Sequence, residues 1–196
     1  MISSIAEILV NRLVKKEIIS GKDIEVYQFG IECFIMKACH IISYFIIAIC
    51  FHMVLELLIF LMTFMPLRVY AGGYHANTPM KCYIVSCFAV LSVMCLIHLM
   101  PTYIMQYSII VALVVSFVLL IIVPVESRNK TLDETEKIYY KRKAMMLIMI
   151  EVGIVIIFRI LLWNDISFII ALGMTYELGV ALAGKISLAD KPLLSN

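Results

Sequence analysis

Long apolar stretches alternate with short polar segments along the whole chain. The first stretch runs from about residue 29 to residue 65 and is almost entirely apolar. One transmembrane helix needs only about 20 residues, so this stretch predicts two spans that meet near Phe51-His52-Met53. The complete pattern predicts six spans, at about 29–51, 54–70, 80–99, 103–123, 144–162 and 166–184.

Residues 2–19 precede the first span and have a helical periodicity of their own. Their apolar side chains recur at near-helical spacing, namely Ile2, Ile5, Leu9 and Leu13. This pattern predicts either an amphipathic helix that lies along the membrane surface or an ordinary helix packed on the protein. The polar residues 21–23 end it.

Three local patterns refine the later spans. Thr131 followed by Glu134 matches a capping box, so a helix is predicted to start there and lead into the fifth span. Residues 163–165 are expected to form a turn with an interfacial tryptophan. Gly179 and Ala183 are four positions apart, and this pair of small residues predicts close contact with another helix.

Composition supports a membrane protein, because 63% of the 196 residues are hydrophobic and soluble domains are only about half apolar. Six cysteines are present without a CxxC or other close ligand spacing. That spacing argues against a disulfide framework or a zinc site. The predicted fold is an all-α polytopic membrane protein, a single domain over residues 1–196 with about six transmembrane helices and an N-terminal amphipathic interfacial helix.

The basic residues predict the orientation of the spans. Most Lys and Arg lie before the first span, between the second and third, between the fourth and fifth, and after the sixth, whereas the other three connections contain none. The positive-inside rule therefore predicts that both termini are cytoplasmic in the cell membrane. The same rule places residues 66–82 at the cytoplasmic boundary.

Residues 66–82 form the longest interruption in the apolar first half of the chain and carry the candidate chemistry. Thr78 followed by Pro79 predicts a helix start, with threonine as the N-cap and proline at the first helical position. Cys82 then falls in the first turn or just past it. The positive end of the helix dipole favours a thiolate at such a position.

His75 is the candidate base for Cys82. Direct contact between them requires the chain to fold back, because seven residues on one straight helix would separate the two Cα atoms by about 10 Å. Gly72 and Gly73 suit such a turn. They could also let a substrate backbone come close, or present N–H groups to an oxyanion.

Two other pairs compete with this one. Cys39 lies next to His40, and Cys95 lies three residues before His98. Both pairs fall inside predicted spans, where a peptide bond would have poor access. Packing roles are therefore favoured for them, since buried free cysteines are usually structural.

Three charged residues are predicted to lie deep within the spans. Lys37, Glu151 and Glu177 would each lie roughly 10–12 Å from the cytoplasmic boundary, where isolated charges are costly. The two glutamates should lie at similar heights, because their spans are consecutive and antiparallel. Lys37 is predicted either to pack against at least one of Glu151 and Glu177, in a polar interior that opens towards Cys82, or to extend to the membrane interface.

The motif and its surroundings resemble the accessory gene regulator B (AgrB) family. The residues that carry the resemblance are Arg68-x-Tyr70-Ala71-Gly72-Gly73-Tyr74-His75-Ala76, then Cys82, and later Pro124-Val125-Glu126 with Asn129-Lys130. The resemblance also extends to chain length and span number.

This resemblance implies a membrane cysteine endopeptidase that matures a quorum-sensing propeptide, with Cys82 as the nucleophile and His75 as its base. Cleavage would leave an acyl-thioester on Cys82, which a Cys or Ser inside the peptide then attacks to give a cyclic thiolactone or lactone. No metal or organic cofactor is needed.

The implied substrate has an amphipathic leader and an acidic C-terminal tail. Arg68, Gly72 and Gly73 are expected to bind it beside the nucleophile, and Lys141 and Arg142 to bind its tail. Further expected partners are the lipid bilayer and a second copy of the chain in a homodimer, but no nucleic acid. The alternative function is a non-enzymatic membrane transporter or peptide-binding scaffold, although the internal symmetry typical of transporters is not evident.

Overall fold

The computed structural model describes residues 2–16, 18–74, 76, 78–126 and 132–189. These residues form eight α-helices and one short 3-10 turn, Gly21–Asp23. The helices are α1 (Ile2–Lys15), α2 (Ile24–Cys50), α3 (Val54–Ala71), α4 (Pro79–Leu99), α5 (Thr102–Met105), α6 (Ser108–Ile122), α7 (Glu134–Ile160) and α8 (Asn164–Ala189).

A tight turn separates α2 from α3 at the predicted position. His52 has a positive φ of 57°, a left-handed conformation that no regular helix continues through. The Met53 N–H donates to the carbonyl of Ala48 at 2.8 Å, which closes the end of α2. The predicted division of the long apolar stretch is confirmed.

The centre of the fold is α8, which packs against α3, α6 and α7. Residues 167–174 are all buried, as expected for a helix that is apolar on every side. One apolar cluster joins α8 to α6 and α7, and another joins it to α2 and α4. The C-terminal half of α8 therefore has a fixed frame from which to contact the segment between α3 and α4.

The predicted fourth span, 103–123, is not one continuous helix. Gln106 and Tyr107 separate the short α5 from α6. The side chain of Arg159 on α7 donates from Nε to the Gln106 carbonyl at 3.2 Å, which ties the break to a neighbouring helix. The prediction of an uninterrupted span was wrong. The contact at the break joins residues far apart in the sequence, so the local sequence pattern could not reveal it.

The start of α7 lies two residues later than predicted. The Asp133 side chain accepts a hydrogen bond from the Glu136 N–H at 2.6 Å, and the Glu136 side chain accepts one from the Asp133 N–H at 3.3 Å. This is a complete capping box, so Glu134 is the first helical residue rather than the end of the box. Thr131 lies outside the described residues.

The turn before α8 lies earlier than predicted. Leu162 has a positive φ of 65°, and Asn164 already begins the helix. Trp163 stacks on Phe158, with 5.6 Å between the ring centroids. The turn therefore spans 161–163 rather than 163–165.

The N-terminal helix α1 packs against α2. Ala6 and Val10 are buried in that contact, whereas Ile5, Ile8 and Leu9 are exposed. One apolar face of α1 is thus left uncovered by the described chain. Its location on the membrane surface stays a prediction.

Four helices are long and apolar enough to cross a membrane, namely α2, α3, α4 and α8 over Asn164–Leu188. The apolar α6 has only 15 residues, and the apolar part of α7 carries Glu151 and Arg159. The all-α, membrane-type fold is therefore confirmed, and the count of six spans stays a prediction.

Candidate active site

Cys82 lies in the first turn of α4, where the sequence predicted it. The Thr78 side chain accepts a hydrogen bond from the Lys81 N–H at 3.3 Å, and the Thr78 carbonyl accepts one from the Cys82 N–H at 3.0 Å. Pro79 occupies the first helical position. The predicted helix start is confirmed, and it places a half-buried thiol near the positive end of the helix dipole.

Two cavities meet at Cys82. The smaller, of about 200 Å³, lies between α3, α4 and α8 and is also lined by Arg68. The larger, of about 890 Å³, is lined by residues of α1, α2, α3 and α4 and extends to Phe29 and His40. A peptide bound across the thiol would therefore find space on both sides of it.

His75 lies outside the described residues, so its contact with Cys82 stays a prediction. Its two neighbours in the sequence are described. Tyr74 and Ala76 both line the smaller cavity together with Cys82. The chain thus lines the cavity that contains Cys82 immediately before and immediately after His75.

Gly72 and Gly73 form the turn that brings the chain to the cavity at Cys82. Gly72 and Gly73 have φ values of 77° and 121°, which residues with a Cβ atom rarely adopt. The Gly72 N–H donates to the Arg68 carbonyl at 3.3 Å, and the Gly73 N–H donates to the Val125 carbonyl at 3.2 Å. Both N–H groups are used within the protein and are not free for an oxyanion. Substrate binding at this pair stays a prediction.

Hydrogen bonds from three parts of the chain hold residues 72–74. The Arg68 guanidinium donates to the carbonyls of Gly72 and Tyr74. The Tyr74 N–H donates to the Val180 carbonyl of α8 at 3.0 Å, and the Val125 N–H donates to the Ala71 carbonyl at 2.8 Å. The backbone on the N-terminal side of His75 is therefore held from α3, from α8 and from the chain after α6.

This arrangement can be compared with known proteins. The family model for Accessory gene regulator B (AgrB) matches residues 6–180, which is most of the chain. The chain belongs to the AgrB family. The resemblance predicted from the motif around His75 and Cys82 is confirmed. Membership of the family supports a role of the chain in accessory gene regulator and quorum-sensing peptide processing.

Individual relatives have the same character. An AgrB-like protein of Clostridium perfringens (strain SM101 / Type A) is 27% identical over 189 residues, which cover 92% of this chain and 88% of that protein. AgrB-like protein 2 of Clostridium perfringens (strain 13 / Type A) is 25% identical over 172 residues, covering 84% of this chain and 80% of that protein. No solved structure matches the chain.

The close contacts of small residues in α8 of this AgrB-family chain lie at Gly173, which faces Thr63 of α3, and at Gly184, not at the predicted pair. Gly179 has open space where a Cβ would stand, and Ala183 is exposed. A Cβ on Gly184 would lie 2.6 Å from the carbonyl carbon of Gly73 and 2.7 Å from the nitrogen of Tyr74. Gly184 is one more small residue in the same helix, and it was the only sign of this contact in the sequence.

The predicted cluster around Lys37 is wrong. Lys37 is exposed and lines the larger cavity. The ring of His40, one turn later, lies 5.2 Å from that of Tyr83 in α4, so Lys37 is level with the start of α4 rather than deep in the protein. Much of α2 therefore extends beyond α4 on the side where Cys82 lies.

The predicted proximity of the two buried glutamates agrees with the structure. Glu151 and Glu177 are both buried and interact electrostatically. Neither oxygen of Glu177 has a hydrogen-bond partner among the described residues.

The basic residues Lys141 and Arg142 are exposed on α7. They follow Tyr140, which lines a third cavity of about 280 Å³ together with Arg68 and Glu126. Lys137 lies 3.1 Å from Glu134 and 3.2 Å from Glu126. Hydrogen bonds to these two carboxylates raise the pKa of Lys137, so it stays protonated and compensates Glu126. Tail binding by Lys141 and Arg142 stays a prediction.

The competing histidines pack against aromatic rings. His40 shares a hydrogen bond of 2.9 Å between Nδ1 and the Met36 carbonyl, and the His98 ring lies 6.3 Å from that of Phe51. These contacts agree with packing roles for the two histidines, although His40 also lines the larger cavity. Cys39 is exposed and Cys95 is half-buried, so the packing roles of the cysteines stay a prediction. Among the described residues, no three His, Cys, Asp or Glu side chains come together as metal ligands.

Proposed function

We propose that the chain is a membrane cysteine endopeptidase that removes the C-terminal tail of a quorum-sensing propeptide and promotes cyclisation of the remaining peptide. The observation that carries the proposal is the cavity beside α4. Cys82 lies on its wall at the start of a helix, and the residues on both sides of His75, Tyr74 and Ala76, line the same space. Membership of the AgrB family supports the same chemistry.

The first half of the reaction forms an acyl-enzyme. His75 takes the proton of the Cys82 thiol, and the thiolate attacks the carbonyl carbon of the scissile peptide bond. The bond to nitrogen breaks, His75 returns the proton to the leaving amine, and the tail departs. The amino-terminal part of the peptide remains on Cys82 as a thioester.

The second half closes the ring. A Cys thiol or Ser hydroxyl of the bound peptide gives its proton to His75 and attacks the thioester carbonyl. The carbon–sulfur bond to Cys82 breaks, and the thiolate that leaves recovers the proton. The product is a thiolactone or a lactone, and no external oxidant or energy source is consumed.

The decisive experiment uses the full chain in proteoliposomes with a synthetic propeptide that has an amphipathic leader, a Cys-containing core and an acidic tail. Mass spectrometry should detect the free tail, an intermediate in which the chain gains the mass of the remaining peptide, and a cyclic product. Cleavage of the intermediate by hydroxylamine would identify it as a thioester. Binding of the propeptide without release of the tail would instead support a non-enzymatic scaffold.

Charge reversal at Lys141 and Arg142 tests the proposed binding of the tail. Because both side chains are exposed positive charges on α7, their replacement by glutamate should raise the KM for an acidic tail about 3- to 30-fold. The effect should shrink as salt rises from about 0.05 to 0.5 M.

The control for that charge is Lys15→Glu/Lys16→Glu, which also reverses two exposed positive charges, at the C-terminal end of α1. It should leave KM unchanged at every salt concentration. A KM for the Lys141→Glu/Arg142→Glu variant that equals that of the unmodified chain at low salt would contradict tail binding and leave these residues with a topological role.

A further inference from the structure

The smaller cavity at Cys82, of about 200 Å³, is a slot that runs from the thiol into the protein between α3, α4 and α8. Cys82 and Val90 both line it. They are eight residues apart on α4, which corresponds to about 12 Å along a helix. Phe60 and Val90 are only 2% and 3% exposed, so buried side chains close the end of the slot away from Cys82. A closed slot of this kind accepts a side chain but not a peptide that continues through it.

Aromatic rings form one wall of the slot. Phe60 stacks on Phe64 with 5.4 Å between the ring centroids, and it meets the ring of Tyr176 edge-on at 5.8 Å. All three residues line the slot. Such rings make favourable contacts with a further ring or with a thioether. An apolar cavity of about 150 Å³ is large enough to hold benzene, so the slot has room for one large apolar side chain.

Two polar residues along the slot, Arg68 and Tyr176, already have partners. Arg68 is the only charged residue that lines the slot in the described part of the chain, and its guanidinium donates hydrogen bonds to the carbonyls of Gly72 and Tyr74. The Tyr176 hydroxyl shares a hydrogen bond of 2.6 Å with the Ser92 hydroxyl. A charged side chain of a substrate would therefore lose its water on entry without gaining a free opposite charge, which is costly. The slot favours apolar side chains.

We propose that this slot binds a large apolar side chain, such as that of Phe, Leu or Met, on the substrate residue whose carbonyl carbon Cys82 attacks. That residue is the one bonded to the sulfur in the thioester, so its side chain lies closest to the wall that carries the thiol. The inference rests on the proposed function and adds the side-chain preference of the same site. Because the residue stays on Cys82 after the tail has left, the slot holds the acyl group while the ring closes.

The first test changes the substrate. Three synthetic propeptides differ only in the residue before the scissile bond, which is Phe, Ala or Asp, and tail release is measured with the full chain in proteoliposomes. We expect kcat/KM to be at least about 100-fold higher for Phe than for Ala, because the loss of a single methylene from an apolar pocket already costs about tenfold or more. It should be lowest for Asp. The same changes in the first residue of the tail should alter kcat/KM by less than about threefold, since that residue lies outside the slot.

The second test changes the slot. Ala89 is half-buried in α4 and lines the slot, so Ala89→Leu fills part of its volume. The ratio of kcat/KM for the Phe propeptide to that for the Ala propeptide should fall to about 10 or less. Because both values are measured on the same protein, partial misfolding does not change their ratio. The matched control is Cys87→Leu, which adds bulk to another half-buried residue of α4 that lines neither cavity at Cys82. Its ratio should equal that of the unmodified chain.

Equal kcat/KM for the Phe and Ala propeptides would overturn the proposal, as would a preference that follows the first residue of the tail. The same holds for a ratio in Ala89→Leu that equals the ratio in Cys87→Leu. Each of these results concerns the slot alone, because tail release still occurs. If every propeptide gave neither a free tail nor an acyl-enzyme, the proposed function itself would be overturned, and this inference with it.

Discussion

Replacing Cys82 with alanine is expected to abolish release of the propeptide tail and formation of the cyclic product. The reason is that no other group in the proposed reaction can form the acyl-thioester, so the rate should fall by about 10⁴-fold or more. The protein should still reach the membrane, because the half-buried thiol contributes little to packing. Tail release in proteoliposomes, measured against the amount of folded protein, is the direct readout.

Cys87→Ala is the matched control, since Cys87 is also a half-buried free cysteine of α4. It does not line either cavity at Cys82, so its replacement should leave the rate almost unchanged. His75→Ala should resemble Cys82→Ala and not Cys87→Ala. Normal processing by Cys82→Ala, or equal losses in the two cysteine variants, would exclude Cys82 as the nucleophile.

The features that the sequence predicted correctly depend on local chemistry. A threonine followed by proline was enough to locate the start of α4, because the cap forms within four residues. The excess length of the apolar stretch before Met65 was enough to require a break near His52. The positions of Cys82 at a helix start and of Gly72 and Gly73 at a turn could be predicted for the same reason, because both depend on neighbouring residues.

The break between α5 and α6 could not be predicted from the local sequence. Nothing in an uncharged apolar stretch marks Gln106 as the point of interruption. The contact from Arg159 to its carbonyl joins two residues 53 positions apart, and local propensity contains no information about such a contact. The predicted location of Lys37 was wrong for a related reason. Its depth in the membrane depends on how α2 is aligned with α4, and this alignment is not encoded in the residues of α2 alone.

The support of the active-site segment was also beyond prediction. The motif indicates that Gly72 and Gly73 turn the chain, but not that Val125 and Val180 accept the hydrogen bonds of the segment. These partners come from two distant parts of the chain and bind through backbone carbonyls, which leave no signature in side-chain identity. Gly184, which has no side chain, is the only feature of the sequence that indicates how closely α8 approaches Gly73 and Tyr74.

Gly184→Leu is expected to cause the second large loss of activity, although residue 184 lies far from Cys82 in the sequence. Any Cβ at this position would lie 2.6–2.7 Å from backbone atoms of Gly73 and Tyr74, closer than unbonded atoms can approach. Either α8 or the segment must move. Because α8 is packed on α3, α6 and α7, we expect the segment, and His75 with it, to be displaced. The rate of tail release should fall at least about 100-fold.

The matched control is Gly179→Leu in the same helix, where a Cβ meets no atom within 4 Å. Both variants bring the same gain in helix propensity, so a difference between them reports contact with the segment and not a change in α8 itself. Circular dichroism in detergent should show the same helix content for both proteins. Gly184→Ala should give an intermediate loss, because it adds the clashing Cβ without the bulk beyond it. Equal rates for the Gly184 and Gly179 variants would mean that the close approach of α8 does not set the position of His75.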